Sequence, residues 1–393
     1  MGNFYENLDK RQFIPYGRQW IDEDDIKAVV EVLKSDYLTT GPKISEFEKK
    51  LTDYTGAKHC AAISNGTAAL HAACFAAGIG IGDEVITSPI TFAASANCAL
   101  YVGAKPVFAD IDPETYNIDP KDIERKITKR TKAIIPVHFT GQPCDMDAIT
   151  DLAKKYGLIV IEDGAHALGA EYKGKKAGTI SDMTTFSFHP VKHITTGEGG
   201  AILTNSREYY EKMIMFRSHG ITRDEDKLTG NEGSWYYEQQ FLGYNYRMTD
   251  IQAALGISQM DKLDGFLEKR RNYADTYNNA FKDIDEIVVP FQMANTMSAW
   301  HLYIIQLKLE KLRVGRKEIF NELKKRNIGV NVHYIPVYYH PYYRKLGYDK
   351  GLCPNAEKLY DRMITLPLFP KMSIQDIEYV IENVVEIIDR YKK

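Results

Sequence analysis

The sequence predicts an α/β fold: a buried, mostly parallel central sheet flanked by helices, followed by a smaller C-terminal α+β domain. Three observations carry this. Between about residues 60 and 205, short apolar runs alternate with helical stretches, and near-continuous apolar strands joined by crossover helices belong to parallel sheets covered on both faces. Beyond Asn205 the alternation stops and longer helices take over. The length of 393 residues suggests two domains, or one large core with a smaller one appended.

Taken in order, the first helix begins at Asp22, an N-cap, with Ile26, Val29, Val30 and Leu33 at helical spacing behind it. Strands are expected over 60–64, 84–87, 106–109, 133–137, 158–163, 184–188 and 201–204, with helices over 67–77, 92–102, 120–127 and 146–156. Gly78, Gly80 and Gly82 are spaced like part of a dinucleotide fingerprint, but they precede a strand instead of opening a helix, so they read as a turn. A helix over 206–217 follows, then a polar exposed loop over 223–240 and a long helical stretch over 250–280. A strand over 302–309, a helix over 316–326, a His- and Tyr-rich loop and a terminal helix over 374–391 complete the chain. The domain boundary is placed inside the long helical stretch, giving a large domain over 1–255 and a small one over 256–393.

Composition narrows the function classes. With 50 Lys+Arg against 53 Asp+Glu, the formal net charge is −3, which gives no sign of nucleic-acid binding or of a polybasic membrane surface. No apolar run approaches the roughly 20 residues of a membrane-spanning helix. Residues Met1–Glu6 lack the charged and then apolar pattern of a signal peptide, and Glu6 stands where a myristoylation signal wants Ser or Thr. The five cysteines, Cys60, Cys74, Cys98, Cys144 and Cys353, are odd in number and scattered, so neither a disulfide framework nor a metal site is expected. The expectation is a cytoplasmic protein.

Four stretches carry chemistry. Ser64-Asn65-Gly66-Thr67-Ala68-Ala69-Leu70 reads as strand, turn and helix; the free amides of a helix's first turn make a phosphate site, although the same residues serve as a plain cap. Ile159–Ala167 ends a buried strand on Glu162-Asp163, with His166 just beyond. A carboxylate there is costly unless a cation such as a protonated pyridine meets it; the bland alternative is a cap for the next helix. Phe186–Gly200 holds Lys192 in a turn between two apolar strands, five residues after Ser187. A lysine desolvated or held near positive charge attacks carbonyls as the free amine, whereas an isolated turn lysine is ordinary. Leu242–Asp250 offers Asn245 and Arg247 to an anion, or simply a turn and an N-cap.

Together and in this order, these stretches resemble the DegT/StrS-type sugar aminotransferases, pyridoxal-phosphate (PLP) enzymes of fold type I. Matching segments run from Thr40-Gly41-Pro42-Lys43 through Thr91-Phe92-Ala93-Ala94 to His333-Tyr334-Ile335-Pro336, spanning about 13–388. The stretches Phe186–Gly200 and Arg217–Ile221 look most like the UDP-4-keto-sugar 4-aminotransferases of pseudaminic acid synthesis. The resemblance implies that Lys192 carries pyridoxal 5'-phosphate as a Schiff base and that Asp163 pairs with the pyridinium nitrogen. It implies that His166 contacts the phenolic oxygen and that Phe92 stacks on the ring. Thr67, Ala68 (through its amide) and Ser187 would contact the phosphate, joined by Asn245 of a neighbouring subunit, which implies a homodimer with shared active sites. His333, Lys43 and Tyr342 are expected at the substrate, although the aromatic stretch 338–343 serves equally well as packing.

The implied reaction moves an amino group from an amino-acid donor, glutamate, to a nucleotide-linked ketosugar. Competing readings are transamination of a dTDP- or GDP-linked sugar, a PLP-dependent sugar dehydratase, a non-catalytic PLP-binding regulator, and a PLP lyase or decarboxylase. Dehydratases of this kind replace the lysine by histidine, and here Lys192 is present with His193 beside it. No basic or helix-turn-helix domain is appended to suit a regulator. The segment His333–Pro336 resembles the sugar enzymes and not the amino-acid lyases.

Overall fold

The computed structural model describes residues 12–393; the Met1–Glu6 segment read above for targeting signals lies outside the described residues. All seven expected strands form, and they share one sheet: β1 (His59–Ile63), β2 (Glu84–Thr87), β3 (Lys105–Phe108), β4 (Thr131–Ile135), β5 (Ile159–Asp163), β6 (Met183–Ser187) and β7 (Gly200–Thr204). Their spatial order is β1-β7-β6-β5-β4-β2-β3. Neighbours are parallel except around β7, which runs antiparallel to both β1 and β6. That reversal matters for the site. A parallel successor to β6 would need a long crossover, whereas the antiparallel β7 lets the chain return through the loop that carries Lys192.

Side-chain alternation puts the two faces of the sheet into different cores. Ala61, Ile63 and Ile202 pack with Leu70, Ala73 and Met213 on one face, while Cys60, Ala62, Ala201 and Leu203 pack with Phe47, Leu51 and Phe188 on the other. A second, three-stranded antiparallel sheet follows: β8 (Ile287–Val288), β9 (Tyr303–Leu307) and β10 (Met363–Leu366), in the order β8-β9-β10. Its core joins Tyr277, Phe281, Ile305, Leu323, Leu366 and Val384, from helices Leu263–Phe281, Arg316–Lys325 and Ile374–Tyr391.

Two local expectations change in the structure. Helix α1 (Glu23–Leu33) forms with its predicted cap, Asp22 accepting the amides of Asp24 and Asp25 while Asp25 returns a bond to the Asp22 amide. Its apolar stripe nevertheless faces outward, with Ile26, Val30 and Leu33 exposed and Asp25 fully buried. The Asp25 carboxylate decides this, because it meets Lys262 Nζ at 3.0 Å and Gln259 Nε2 at 2.8 Å, and a buried charge needs its partners more than a valine needs cover. The stretch over 250–280 divides into helices Asp250–Met260 and Leu263–Phe281. Neither Gly nor Pro marks the break; Lys262 sits there with its ammonium on Asp22 and Asp25, a contact no local pattern announces.

The carboxyl ends of the strands converge on one crevice. β1 stands at one edge, yet the next strand in the chain, β2, lies near the opposite edge, and such a reversal of winding opens a ligand-binding gap at the strand ends. Close approach there depends on two glycines. A Cβ on Gly200, the first residue of β7, would lie 2.6 Å from the backbone of Asn65, and one on Gly66 would lie 2.9 Å from Ser187 Cβ. Larger residues would push the Asn65–Thr67 turn away from the ends of β6 and β7. Among the described residues no helix is long and apolar enough to cross a membrane, no group of acidic, His or Cys side chains is placed to hold a metal, and all five cysteines are free and buried.

Candidate active site

A cavity of about 840 Å³ occupies the crevice. One end is built by the helix Gly66–Ala76. Asn65 caps it, its Oδ1 accepting the Ala68 amide at 2.8 Å. The amides of Gly66 and Thr67 have no acceptor among the described residues, and they open onto the cavity beside Ser187 at the end of β6. Free amides, the positive end of a helix and two hydroxyls suit a phosphate group.

The middle of the cavity is set by Asp163, the last residue of β5, which is 5% exposed. Oδ2 accepts the Ser95 hydroxyl at 2.6 Å and Oδ1 accepts the Ala165 amide at 3.1 Å. Among the described residues no cationic side chain is in ion-pair contact with it. Its neighbour Glu162 points to the other side of the strand and pairs with His138, Nε2 to Oε2 at 2.6 Å, both side chains fully buried. His138 Nδ1 accepts the Cys144 amide at 3.2 Å, so Nε2 carries the proton that goes to Glu162.

Lys192 lies opposite, in the β6–β7 loop and lining the cavity. Burial pulls its pKa down to about 8; Asp163 opposes the shift and Arg270 reinforces it. Arg270 is fully buried, with Nη1 on the carbonyls of Trp300, His301 and Leu368 and with Nε and Nη2 unpartnered among the described residues. A guanidinium stays charged even so, and it acts here as a fixed cation behind the lysine loop. His193, next to Lys192, bonds the Ala299 carbonyl at 3.1 Å, tying that loop to the segment that brings His301 to the cavity.

Three imidazoles face this region as neutral rings. His166 Nε2 lies 3.1 Å from the Tyr334 hydroxyl, and its ring sits 4.3 Å from that of His301. Burial first, and Lys192 second, hold His166 well below the usual histidine range. His301 is depressed in the same way, chiefly by burial with help from His166 and Lys192. His333, on Thr365 Oγ1 at 2.9 Å, is pulled down to about 3 by burial and Lys192.

Of the residues selected from sequence, Thr67, Ala68, Phe92, Asp163, His166, Ser187, Lys192 and His333 line this one cavity. Phe92 stands at its mouth, 62% exposed. Three others lie outside the lining of their own chain's cavity. Asn245 is exposed; Lys43 binds Glu46 at 2.7 Å on the surface; Tyr342 is exposed, its ring edge-on to Tyr343. Sequence reasoning missed Ser95, Tyr334, His301 and Arg270 as parts of the site. Ser95 follows the Thr91–Ala94 motif directly, and Tyr334 sits inside the His333–Pro336 motif, so both were within reach of a residue-by-residue reading. Arg270 and His301 carry no local signal.

The residues fit PLP. A phosphate suits the Gly66–Thr67 amides and Ser187, a pyridine nitrogen suits the unpaired buried carboxylate of Asp163, and an aldehyde suits the depressed amine of Lys192.

The comparisons agree with this chemistry. Residues 19–385 match the model of the DegT/DnrJ/EryC1/StrS aminotransferase family. The spore coat polysaccharide biosynthesis protein SpsC of Bacillus subtilis is 45% identical over 381 residues, 96% of this chain and 98% of that protein. The UDP-4-amino-4,6-dideoxy-N-acetyl-beta-L-altrosamine transaminase of Campylobacter jejuni subsp. jejuni serotype O:23/36 is 40% identical over 384 residues, 97% of this chain and 99% of that one. Helicobacter pylori PseC, an aminotransferase involved in the biosynthesis of pseudoaminic acid, matches with a TM-score of 0.90 at 34% identity, covering 96% of this chain and 100% of that chain. Other solved neighbours include PLP and pyridoxamine-phosphate forms. The chain belongs to the DegT/DnrJ/EryC1/StrS aminotransferase family and is a PLP-dependent aminotransferase of fold type I.

Proposed function

We propose that this aminotransferase acts in the cytoplasm on a nucleotide-linked ketosugar, a UDP-4-keto-6-deoxy-N-acetylhexosamine aminated at C4, with L-glutamate as donor. The product would be an aminosugar for glycan or flagellar modification. The observation that carries this reading is the 40% identity, over almost the whole of both chains, to a transaminase named for a UDP-linked 4-amino sugar. The cavity supports it: beyond the residues suited to PLP, Tyr101, Tyr246, Asn331 and His333 line further space. The similarity to a spore coat polysaccharide biosynthesis protein supports a second reading, in which the same chemistry serves a different nucleotide sugar, with dTDP- or GDP-linked ketosugars as the alternatives.

In this reading the large domain, 1–255, holds the cofactor and the small one, 256–393, closes over the substrate. Thr67, the Ala68 amide shared with Asn65, and Ser187 hold the phosphate; Asp163 holds a proton at the pyridine nitrogen; Phe92 covers the ring; His166 faces the phenolic oxygen. When bound, PLP supplies an electron sink that lets an amino group pass between two carbonyl partners. Lys192 Nζ would anchor it covalently and, as a free amine, would move a proton at the donor α-carbon. His333 contacts the substrate. Asn245, Lys43 and Tyr342, outside their own cavity, reach a site only across a homodimer. A sugar dehydratase is disfavoured because Lys192 supplies the amine that those enzymes lack.

Three outcomes test these assignments. Acylation of Lys192 in cofactor-free protein, followed against pH by mass spectrometry, should be half-maximal near pH 8. Asp163→Asn should move that midpoint lower still, since the carboxylate raises the lysine's proton affinity; a wild-type midpoint in the ordinary lysine range contradicts a desolvated amine. Against a panel of UDP-, dTDP- and GDP-linked ketosugars with glutamate, product NMR should show amine at C4 of the UDP-linked sugar, and exclusive use of another nucleotide would select the second reading. Finally, inactive Lys192→Ala and Asn245→Asp chains should partly restore activity when mixed, because one hybrid site regains both residues. No recovery under demonstrated subunit exchange excludes a shared site.

A further inference from the structure

Asp163 is held by a chain of hydroxyl groups that the assignments above do not use. Ser95 Oγ lies 2.6 Å from Asp163 Oδ2, and Thr91 Oγ1 lies 2.7 Å behind Ser95 Oγ. Both are buried, Ser95 at 1% and Thr91 at 4% exposure. A hydroxyl has one proton to give and a carboxylate has none. The Ser95 proton therefore goes to Asp163, and Thr91 donates to Ser95. The Phe92 carbonyl competes for the Ser95 proton only at 3.3 Å, so the shorter contact takes it. The chain thus runs in one direction, from Thr91 through Ser95 to Asp163. With the Ala165 amide on Oδ1 at 3.1 Å, each carboxylate oxygen has one donor, and the carboxylate plane is set.

Ser95 is the second residue of the helix Ala94–Tyr101, yet its hydroxyl is directed at a strand end 68 residues away in sequence. It does not serve as the helix cap. The same turn carries Phe92, whose carbonyl accepts the Ser95 amide at 3.2 Å. One short segment therefore orients the acid and the aromatic wall together.

We propose that Ser95, backed by Thr91, is a positioning residue that keeps Asp163 charged and turned toward the cofactor's pyridine nitrogen. This rests on the reading that Asp163 pairs with that nitrogen. In a water-poor site, a carboxylate facing a pyridinium can discharge the pair by taking its proton, because two buried charges cost more than two neutral groups. A hydrogen bond donated to the carboxylate favours its charged form, and charge-assisted bonds are roughly twice as strong as neutral ones. The Ser95 bond thus holds the proton on nitrogen, where the ring needs it to accept electrons.

The test is the nitrogen NMR shift of holoenzyme loaded with PLP labelled with 15N in the ring. Wild type should show the pyridinium position. Ser95→Ala should move the signal toward neutral pyridine, and Ser95→Thr, which keeps the hydroxyl, should bring it back. A Ser95→Ala signal identical to wild type overturns the inference, while a wild type without pyridinium overturns the underlying reading of Asp163 instead. Should Ser95→Ala fail to hold the cofactor, Thr91→Val carries the test: a smaller shift in the same direction supports the relay, and an unchanged signal overturns it.

Discussion

A charged carboxylate buried at the end of a strand is costly unless hydrogen bonds or positive charge meet it, and the site is arranged around that constraint at Asp163. Its backbone is fixed first: the Asp163 amide bonds the Pro136 carbonyl at 2.8 Å, and the His138 amide bonds the Asp163 carbonyl at 3.1 Å. The neighbouring Glu162 is anchored on the reverse side by His138, Ser181 and Thr184. The strand end is therefore locked from both faces, and the only freedom left to Asp163 is in its side chain, which Ser95 and Ala165 take up. What no described group supplies is a cation in contact, and a protonated pyridine is the partner the chemistry asks for.

The rest of the charge pattern complements this. Arg270 is buried with carbonyl partners and, among the described residues, no acid in ion-pair contact, and after burial its charge helps to lower the proton affinity of Lys192, His193 and His301. Together with burial it keeps His193 and His301 neutral and the lysine near its deprotonation point, against which Asp163 pulls the other way. The geometry that holds these groups apart depends on small features: the reversed direction of β7, which allows the lysine loop, and the missing Cβ atoms of Gly66 and Gly200, which let the helix amides close on Ser187.

Much of this was legible in the sequence, and the reasons for the exceptions are physical. The seven strands of the main sheet were readable because strands buried on both faces are near-continuously apolar. Asp163 was readable because a charged residue at the end of such a run stands out, whereas Lys192, an ordinary turn lysine by itself, was readable only from the four stretches taken together and the resemblance they carry. All four selected stretches contribute to the cavity lining, the fourth through Tyr246, while Asn245 is exposed outside it. The outward face of the first helix was not legible, since its burial is decided by Asp25, Gln259 and Lys262 across more than 200 residues. His301 and Arg270 escaped for the same reason: each acquires its role from partners distant in sequence, and neither breaks a local pattern, whereas Ser95 adjoins the Thr91–Ala94 motif and lacked only the distant partner that gives it a role.

The proposed chemistry depends on the charge of Asp163. The most direct measurement is stopped-flow absorbance of Asp163→Asn holoenzyme mixed with glutamate. Asparagine keeps the shape and removes the charge, so the variant should still attach PLP to Lys192 while amino transfer from glutamate to the cofactor slows by about a hundredfold or more, as expected when electrostatic stabilisation aimed at developing charge is lost. Transfer at near wild-type rate, with PLP attached to Lys192, would show that Asp163 is not the partner of the pyridine nitrogen.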